Sequence, residues 1–275
     1  MTRLTPDLLV GVPSGLQALD RSLLRSTGVG LADLASRATG RKVEALQGAV
    51  ASVVPMTCGM GRIDDFGESV VSVLSHLGVE ASLTEASDAS GLAEAVEAGA
   101  EMVFLADDAR FVAINVFTRE VADNTTATAR GFVEALDLAC GGVKRRSVAV
   151  VGAGPLGKAA TAALRAKGAD VVVVERDPVR ARAAGCAPAD MRDILPRSDL
   201  ILNASPSPVW GRWLRQGAIV SSPGVPYCFD EEAERKAVII HDPLQTGVAV
   251  MAYQACSDIH LTRLAENKEV AHNGC

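Results

Sequence analysis

The sequence predicts an α/β protein built from a Rossmann-type, doubly wound parallel sheet and a smaller N-terminal α/β domain with helical decoration. Three observations support this fold class. From residue 146 onward, apolar runs alternate with helix or loop signals, in the order SVAVVGAG, DVVVVE, DLILNAS, GAIVSSPG and AVIIHDP. Continuous apolar runs are typical of parallel strands that are covered on both faces. In addition, glycines follow the first run and a carboxylate ends the second.

The order of the elements divides the chain into four parts. Residues 1–123 carry the apolar runs AVASVVPM, VEASLTE and EMVFLADD between helical patterns, and we expect them to form a domain that contributes to substrate binding. Residues 124–142 predict a connecting helix, and residues 143–246 an NAD-binding Rossmann domain. Residues 247–275 predict a C-terminal helix, to about Leu264, and a tail.

Composition excludes several classes of protein. The 275 residues carry a net charge of −6, which argues against nucleic acid as a partner, because affinity for a phosphate backbone comes from clustered cations. No apolar run reaches the roughly 18 residues that span a bilayer, and the first residues lack a secretory pattern. We therefore predict a cytoplasmic protein without a membrane partner. The six cysteines form no CxxC pair and the four histidines lack ligand spacing, so no metal site is predicted. The composition leaves a homodimer open.

The glycine pattern after the first Rossmann strand indicates a dinucleotide site. Gly152, Gly154 and Gly157 follow the strand SVAVV and open a helix, so backbone N–H groups can approach a pyrophosphate. Glu175 ends the next strand, where a carboxylate can accept the ribose hydroxyls and favour NAD over NADP, although the adjacent Arg176 weakens that preference. The later strand ends NASPSP and SSPGVP are small and polar, as a loop beside nicotinamide would be. The predicted NAD site comprises Gly152, Gly154, Pro155, Leu156, Gly157, Glu175, Arg176, Asn203, Ala204, Ser205, Pro223 and Gly224.

Three polar positions are candidates for chemistry on a substrate. Asp107 and Asp108 end a strand of the first domain, Asn124 begins the connecting helix, and Asp242 ends the last Rossmann strand. A carboxylate at a strand end can anchor an ammonium group or act as a base. The alternatives are a turn or helix-cap residue for Asp108 and a helix N-cap for Asn124. For Cys58, we favour a small pocket-lining residue over a reactive thiol.

Several stretches resemble the pyrrolysine synthase family, PylD. They are LTP at residues 4–6, VPMTCGMGRIDDFGES at 54–69, LADD at 105–108, ADN at 122–124, VVGAGPLG at 150–157, SSPGVP at 221–226 and DPLQTGVA at 242–249. The resemblance implies an NAD-dependent oxidation of the terminal amine of 3-methyl-D-ornithyl-N6-L-lysine, a small dipeptide-like substrate. Ammonia would leave, and ring closure with loss of water would give pyrrolysine.

The same resemblance implies a set of substrate contacts: Leu4, Cys58, Phe66, Ala106, Asp107, Asn124 and Asp242. The N-terminal segment that carries Leu4 would then cover the site and exclude water. Two positions depart from the archaeal pattern, which has Ser in place of Cys58 and Glu in place of Asp242. The exact anchoring of the substrate amine is therefore open.

Two other functions compete with this one. The first is another two-domain NAD(P)-dependent dehydrogenase of a small amino acid or acid, similar to shikimate or amino-acid dehydrogenases. The sequence has no N-V-T-x-P-x-K stretch, which a shikimate-type site would use. The second is an NAD-binding sensor without catalysis, against which the three polar positions argue.

Overall fold

The computed structural model describes residues 4–257, which form two five-stranded sheets joined by helices. The strands are β1 Val50–Val54, β2 Glu80–Leu83, β3 Met102–Ala106, β4 Phe111–Asn115, β5 Val121–Asp123, β6 Ser147–Val151, β7 Asp170–Val174, β8 Leu200–Asn203, β9 Ile219–Ser221 and β10 Val238–Ile240. The α-helices are α1 Pro6–Leu9, α2 Val12–Thr27, α3 Leu31–Thr39, α4 Phe66–His76, α5 Asp88–Glu97, α6 Asn124–Ala139, α7 Pro155–Ala166, α8 Pro178–Ala183, α9 Met191–Ile194, α10 Glu231–Lys236 and α11 Gln245–Ala255. Short 3-10 turns cover Val43–Leu46, Leu195–Arg197 and Gly211–Trp213.

The N-terminal sheet is mixed, with the order β2-β1-β3-β4-β5. Strands β1, β2 and β3 are parallel, whereas β4 and β5 run antiparallel to their neighbours. The sequence analysis predicted one strand through Asp108 and missed the two antiparallel strands. Strand β3 ends at Ala106 because the chain turns there: Oδ1 of Asp107 accepts hydrogen bonds from the backbone amides of Ala109 and Arg110, both at 2.7 Å.

The C-terminal sheet is wholly parallel, with the order β10-β9-β8-β6-β7. This arrangement confirms the predicted Rossmann-type fold. The direction of winding changes between β6 and β8, and in open parallel sheets ligands bind at the carboxyl ends of the strands beside such a switch point. The glycine loop follows β6, so the topology places it at that point.

Helix α6 connects the two sheets and contributes to both cores. Phe132 packs into the core of the N-terminal sheet, while Val133 packs into the core on one face of the Rossmann sheet. Asp123 is its N-cap and accepts a hydrogen bond from the amide of Thr125, so Asn124 is the first helical residue and not the cap. The helix ends at Ala139, three residues before the predicted end at Gly142.

Helix α11 is buried on almost every side, and it packs into the core of the N-terminal sheet. It begins at Gln245, two residues before the predicted start, and Ala255 is its last residue. The rest of the predicted helix, to about Leu264, and the predicted tail lie outside the described residues. None of the helices within residues 4–257 is long and apolar enough to cross a membrane. The same residues contain no cluster of three or more His, Cys, Asp or Glu side chains arranged to hold a metal.

Candidate active site

A cleft of about 1480 Å³ lies between the carboxyl ends of the two sheets. It is lined from one side by residues that follow β1 and β3 and by the start of α6, and from the other by the loops after β6, β7, β8, β9 and β10. The predicted site residues that line it are Leu4, Phe66, Ala106, Asp107, Asn124, Gly152, Gly154, Pro155, Leu156, Glu175, Arg176, Ala204, Ser205, Pro223, Gly224 and Asp242. Cys58, Gly157 and Asn203 are absent from the lining. The cleft therefore brings ten of the twelve predicted cofactor residues together with the three predicted polar residues.

The glycine loop fits a dinucleotide. Gly152 has a φ of +96°, which favours glycine, and a Cβ on Gly157 would lie 1.9 Å from the carbonyl oxygen of Gly152. Gly157 thus serves close packing of helix against strand and does not reach the cleft. A Cβ on Gly154 would meet no atom within 4 Å, so the loop leaves open space at the start of α7. The N-cap of α7 is Gly154, which has no side chain to satisfy the first amides, and a pyrophosphate can do so.

Glu175 lies beside the glycine loop and lines the same cleft. It follows β7, and its Oε2 accepts a hydrogen bond of 3.1 Å from the amide of Ala153 in the glycine loop. Its Oε1 accepts one of 3.0 Å from the amide of Asp177. These bonds hold the carboxylate beside the loop, where it can accept the hydroxyls of an adenosine ribose. Arg176 and Arg180 line the cleft next to it.

The loops after β8 and β9 face the glycine loop. Asn203 is buried beneath these two loops and hydrogen-bonds to both of them. Its side chain is 2 % exposed. Its Nδ2 donates to Oγ of Ser222 at 3.2 Å, its Oδ1 accepts from the amide of Ser205 at 3.2 Å, and its backbone oxygen accepts from the amide of Gly224 at 3.0 Å. The side chain predicted to contact the cofactor is thus engaged below the loops. Ala204, Ser205, Pro223 and Gly224 form the surface above it.

Asp242 is a buried carboxylate in the wall of the cleft, with 5 % of its surface exposed. Its Oδ2 accepts a hydrogen bond from the hydroxyl of Thr246 at 2.5 Å. Its Oδ1 accepts from the amides of Thr246 and Leu244, at 3.0 and 3.2 Å. Burial raises the pKa of this carboxyl, and the bonds from Thr246 oppose that rise by stabilising the ionised form. A carboxyl whose pKa is raised by burial is a candidate proton acceptor in a reaction site.

Asn124 lies at the start of α6 and lines the same cleft as Asp242. Its Oδ1 accepts a hydrogen bond of 3.2 Å from the hydroxyl of Thr128, one turn along the helix. A Cβ on Gly247 would lie 2.6 Å from that Oδ1 and 2.5 Å from the Thr128 hydroxyl oxygen, so α11 approaches α6 closely here. This contact fixes the orientation of the Asn124 amide.

Asp107 is exposed and makes the turn described above, and the amides of Arg110 and Ala109 lower the pKa of its carboxyl. It is therefore ionised at neutral pH and can attract an ammonium group. Its neighbour Asp108 holds the loop 57–65, because Oδ2 of Asp108 accepts a hydrogen bond of 2.7 Å from the amide of Met60. Cys58 lies in this loop but is exposed and outside the cleft lining.

Leu4, Phe66 and Ala106 contribute to the apolar lining of the cleft. The ring of Phe66 packs edge-on against that of Phe111, with the centroids 5.1 Å apart. These side chains can contact the hydrocarbon of a substrate while the carboxylates contact its charged groups.

Sequence reasoning did not identify Thr128 and Thr246, the two hydroxyl donors behind Asn124 and Asp242. Thr128 follows Asn124 by four residues on a helix, a spacing that places the two side chains on one face. Thr246 follows Asp242 by four residues across the start of α11. In both cases the spacing was visible in the sequence.

Models of two protein families match this chain. Residues 11–122 match the N-terminal domain of the pyrrolysine biosynthesis protein PylD. Residues 111–209 match the NAD-binding domain of D-isomer specific 2-hydroxyacid dehydrogenases. The pyrrolysine synthase of Methanosarcina barkeri strain Fusaro is 30 % identical over 271 residues, which is 92 % of this chain and 97 % of that protein.

The chain belongs to the pyrrolysine synthase family. A second member, from Methanosarcina acetivorans, is 29 % identical over 92 % of this chain and 99 % of its own length. Among solved structures, shikimate 5-dehydrogenase from Thermus thermophilus, in complex with NADP(H) and shikimate, is similar in fold, with a TM-score of 0.51 and 20 % identity over 80 % of this chain and 99 % of that chain. This member of the pyrrolysine synthase family is an NAD-dependent oxidoreductase.

Proposed function

We propose that this protein oxidises the terminal amine of 3-methyl-D-ornithyl-N6-L-lysine with NAD, the last step in the formation of pyrrolysine. Bound NAD would accept a hydride from the carbon that bears the terminal amine, and the nitrogen would lose a proton from its ammonium form, which would give an iminium ion. Water adds to that carbon and ammonium leaves, which gives an aldehyde. The ornithyl α-amine then condenses with the aldehyde and releases water, which closes the pyrroline ring.

The observation that carries this proposal is the placement of Asp107, Asn124 and Asp242 in the same cleft as the glycine loop, in a chain of this family. The proposed substrate carries ammonium groups, and carboxylates stabilise them. Apolar contacts from Leu4, Phe66 and Ala106 suit the methylene carbons between those groups. Residues 1–123 would thus supply most of the substrate side of the cleft.

We assign different roles to the two aspartates. Asp107 stays ionised because backbone amides lower its pKa, so it binds a substrate ammonium. Asp242 is buried and its pKa is raised, so it accepts the proton that the substrate nitrogen loses. Asn124, oriented by Thr128, hydrogen-bonds the substrate and turns the reacting carbon toward the cofactor.

The topology of the Rossmann sheet supports one orientation of NAD in the cleft. The glycine loop would bind the pyrophosphate and Glu175 the adenosine ribose, so the nicotinamide end would extend toward the loops after β8 and β9. Those loops lie between the glycine loop and Asp242 in the strand order. A nicotinamide ring there would face the three polar residues.

The test is a turnover assay of the purified protein with NAD and synthetic 3-methyl-D-ornithyl-N6-L-lysine. NADH absorbance, ammonium release and product mass are followed in the same reaction. We expect NADH, ammonium and ring-closed product in equal amounts. Binding of NAD without NADH formation would reject this substrate. A screen of free amino acids and hydroxy acids would then test the alternative of another amino-acid or small-acid dehydrogenase.

A further inference from the structure

Three strand ends of the Rossmann sheet are joined by a chain of side-chain contacts that the proposed chemistry does not use. At the end of β8, Nδ2 of Asn203 donates to Oγ of Ser222 at 3.2 Å. Ser222 follows β9 and is fully buried. Its backbone oxygen accepts a hydrogen bond of 2.7 Å from Nδ1 of His241, which follows β10. His241 immediately precedes Asp242 in the chain.

These contacts hold two loops that line the cleft above them. Oδ1 of Asn203 holds the amide of Ser205, and its backbone oxygen holds the amide of Gly224. A Cβ on Gly224 would lie 2.4 Å from the carbonyl oxygen of Ser205, so the two loops are in direct contact. Both loops line the cleft. A shift of Asn203 would therefore move both loops together.

The geometry points to Asn203, Ser222 and His241 as a positioning brace that fixes the loops beneath the nicotinamide ring and their distance from Asp242. The brace residues follow β8, β9 and β10, whereas the glycine loop and Glu175 follow β6 and β7, on the other side of the switch point. The effect of the brace should therefore be confined to the nicotinamide end. This inference rests on the orientation of NAD proposed above but not on the identity of the substrate.

The experiment compares the affinities of NAD and ADP-ribose by titration calorimetry. ADP-ribose contains every part of NAD except the nicotinamide ring, so the ratio of the two affinities measures how well that ring is held. Ser222→Ala removes one oxygen and leaves Nδ2 of Asn203 without its acceptor. We expect this change to lower the affinity for NAD roughly tenfold and to leave that for ADP-ribose at the wild-type level. Asn203→Ala should act in the same direction and more strongly.

Ser221→Ala is the matched control. Ser221 is also fully buried, and its hydroxyl donates a hydrogen bond of 2.7 Å to the carbonyl of Phe132 in α6, away from the two loops. This variant should lose stability and keep the wild-type ratio of affinities. His241→Phe keeps a ring beside Tyr227, whose centroid lies 5.1 Å from that of His241, and removes the bond to Ser222 together with the electrostatic interaction between His241 and Asp242. It should lower the ratio as Ser222→Ala does.

Two results would contradict the proposal that Asn203, Ser222 and His241 act as a positioning brace. If Ser222→Ala weakens both ligands by the same factor, or leaves the ratio unchanged, the three residues serve only the stability of the sheet. If the wild-type protein binds ADP-ribose as tightly as NAD, the nicotinamide ring is not held at these loops, and the proposed orientation fails as well. Neither result depends on whether the ornithyl-lysine substrate is turned over, so a wrong substrate would be recognised separately. If Asn203→Ala fails to fold, Ser222→Ala still decides the question.

Discussion

The hydroxyl of Thr246 donates a hydrogen bond of 2.5 Å to the carboxylate of Asp242, and the amide of the same residue donates a second at 3.0 Å. One residue thus supplies two of the donors that face a buried carboxylate. Burial favours the neutral acid, and these two bonds favour the ion. Thr246 therefore influences the pH at which Asp242 changes its charge.

Replacing Thr246 with valine should move the pH dependence of the reaction. The change removes a bond to the ionised form, so the pKa of Asp242 rises further. If the ionised form accepts the proton, the acid limb of kcat/KM moves to higher pH. The measurement is kcat/KM against pH for the wild type, Thr246→Val and Thr246→Ser. The serine variant keeps the hydroxyl and should restore the wild-type limb. An unchanged limb in the valine variant would remove Asp242 from the proton transfer.

Asp242→Asn should separate activity from stability. The amide cannot accept a proton, so we expect kcat to fall by about 100-fold or more, while NAD binds as before. The folded-state pKa of Asp242 lies above its unfolded value, so ionisation above the folded pKa costs stability and protonation below it does not. The variant should therefore melt higher than the wild type at pH 8, by about 3 °C, and the difference should shrink as the pH falls. A lower Tm for the variant at pH 8 would contradict the assigned direction of the pKa.

Two alanine substitutions at the glycine motif should affect different properties: Gly157→Ala should lower stability, whereas Gly154→Ala should weaken NAD binding. Gly157→Ala puts a methyl group 1.9 Å from the carbonyl oxygen of Gly152, so the helix and strand must separate. We expect a loss of about 1–3 kcal/mol in the free energy of unfolding. Gly154→Ala meets no atom within 4 Å, so it should fold normally, but its methyl group would occupy the approach of the pyrophosphate. Urea unfolding and NAD titration of both variants test the pair. Normal NAD binding by Gly154→Ala would argue against a pyrophosphate at this loop.

Glu175→Ala should change the preference between cofactors. The carboxylate would bind the ribose hydroxyls of NAD and repel a 2′-phosphate, and Arg176 and Arg180 lie beside it in the cleft lining. We expect the ratio of kcat/KM for NAD to that for NADP to fall by about tenfold or more. Asp177→Ala is a useful control, because Asp177 caps α8 and lies outside the cleft lining. An unchanged ratio in Glu175→Ala would place the adenosine ribose elsewhere.

The Rossmann half could be predicted from the sequence because its strands are continuous apolar runs whose ends carry the functional residues. The order of runs, the glycines after β6 and Glu175 after β7 indicated the cofactor site without knowledge of any contact. The antiparallel pair β4 and β5 was missed because these short strands follow β3 closely. Residues 109–123, which contain both strands, were assigned no element from the sequence.

The positions of the predicted site residues depend on a different feature of the fold. Residues at strand ends, such as Asp242, could be placed in the cleft because the topology of a parallel sheet gathers those ends. Whether a side chain points into the cleft or beneath it depends on its partners across the sheet. Asn203 turns under the loops because Ser222 lies on the neighbouring strand end, and pairing of that kind is not visible along the chain. The positions of Cys58 and Gly157 outside the lining depend on tertiary contacts in the same way.

Helix α11 has a consequence for any attempt to dissect this protein. It starts beside Asp242 on the cofactor side and ends against the N-terminal sheet, where Glu101 accepts hydrogen bonds from the amide and hydroxyl of Ser257. The core of the N-terminal half is therefore completed by a segment that follows the Rossmann unit in the chain. A single cut between residues 142 and 143 would leave the first fragment without that helix. Independent expression of the two halves would need a circular permutation or a grafted copy of α11, and recombination between relatives would have to exchange three segments and not two.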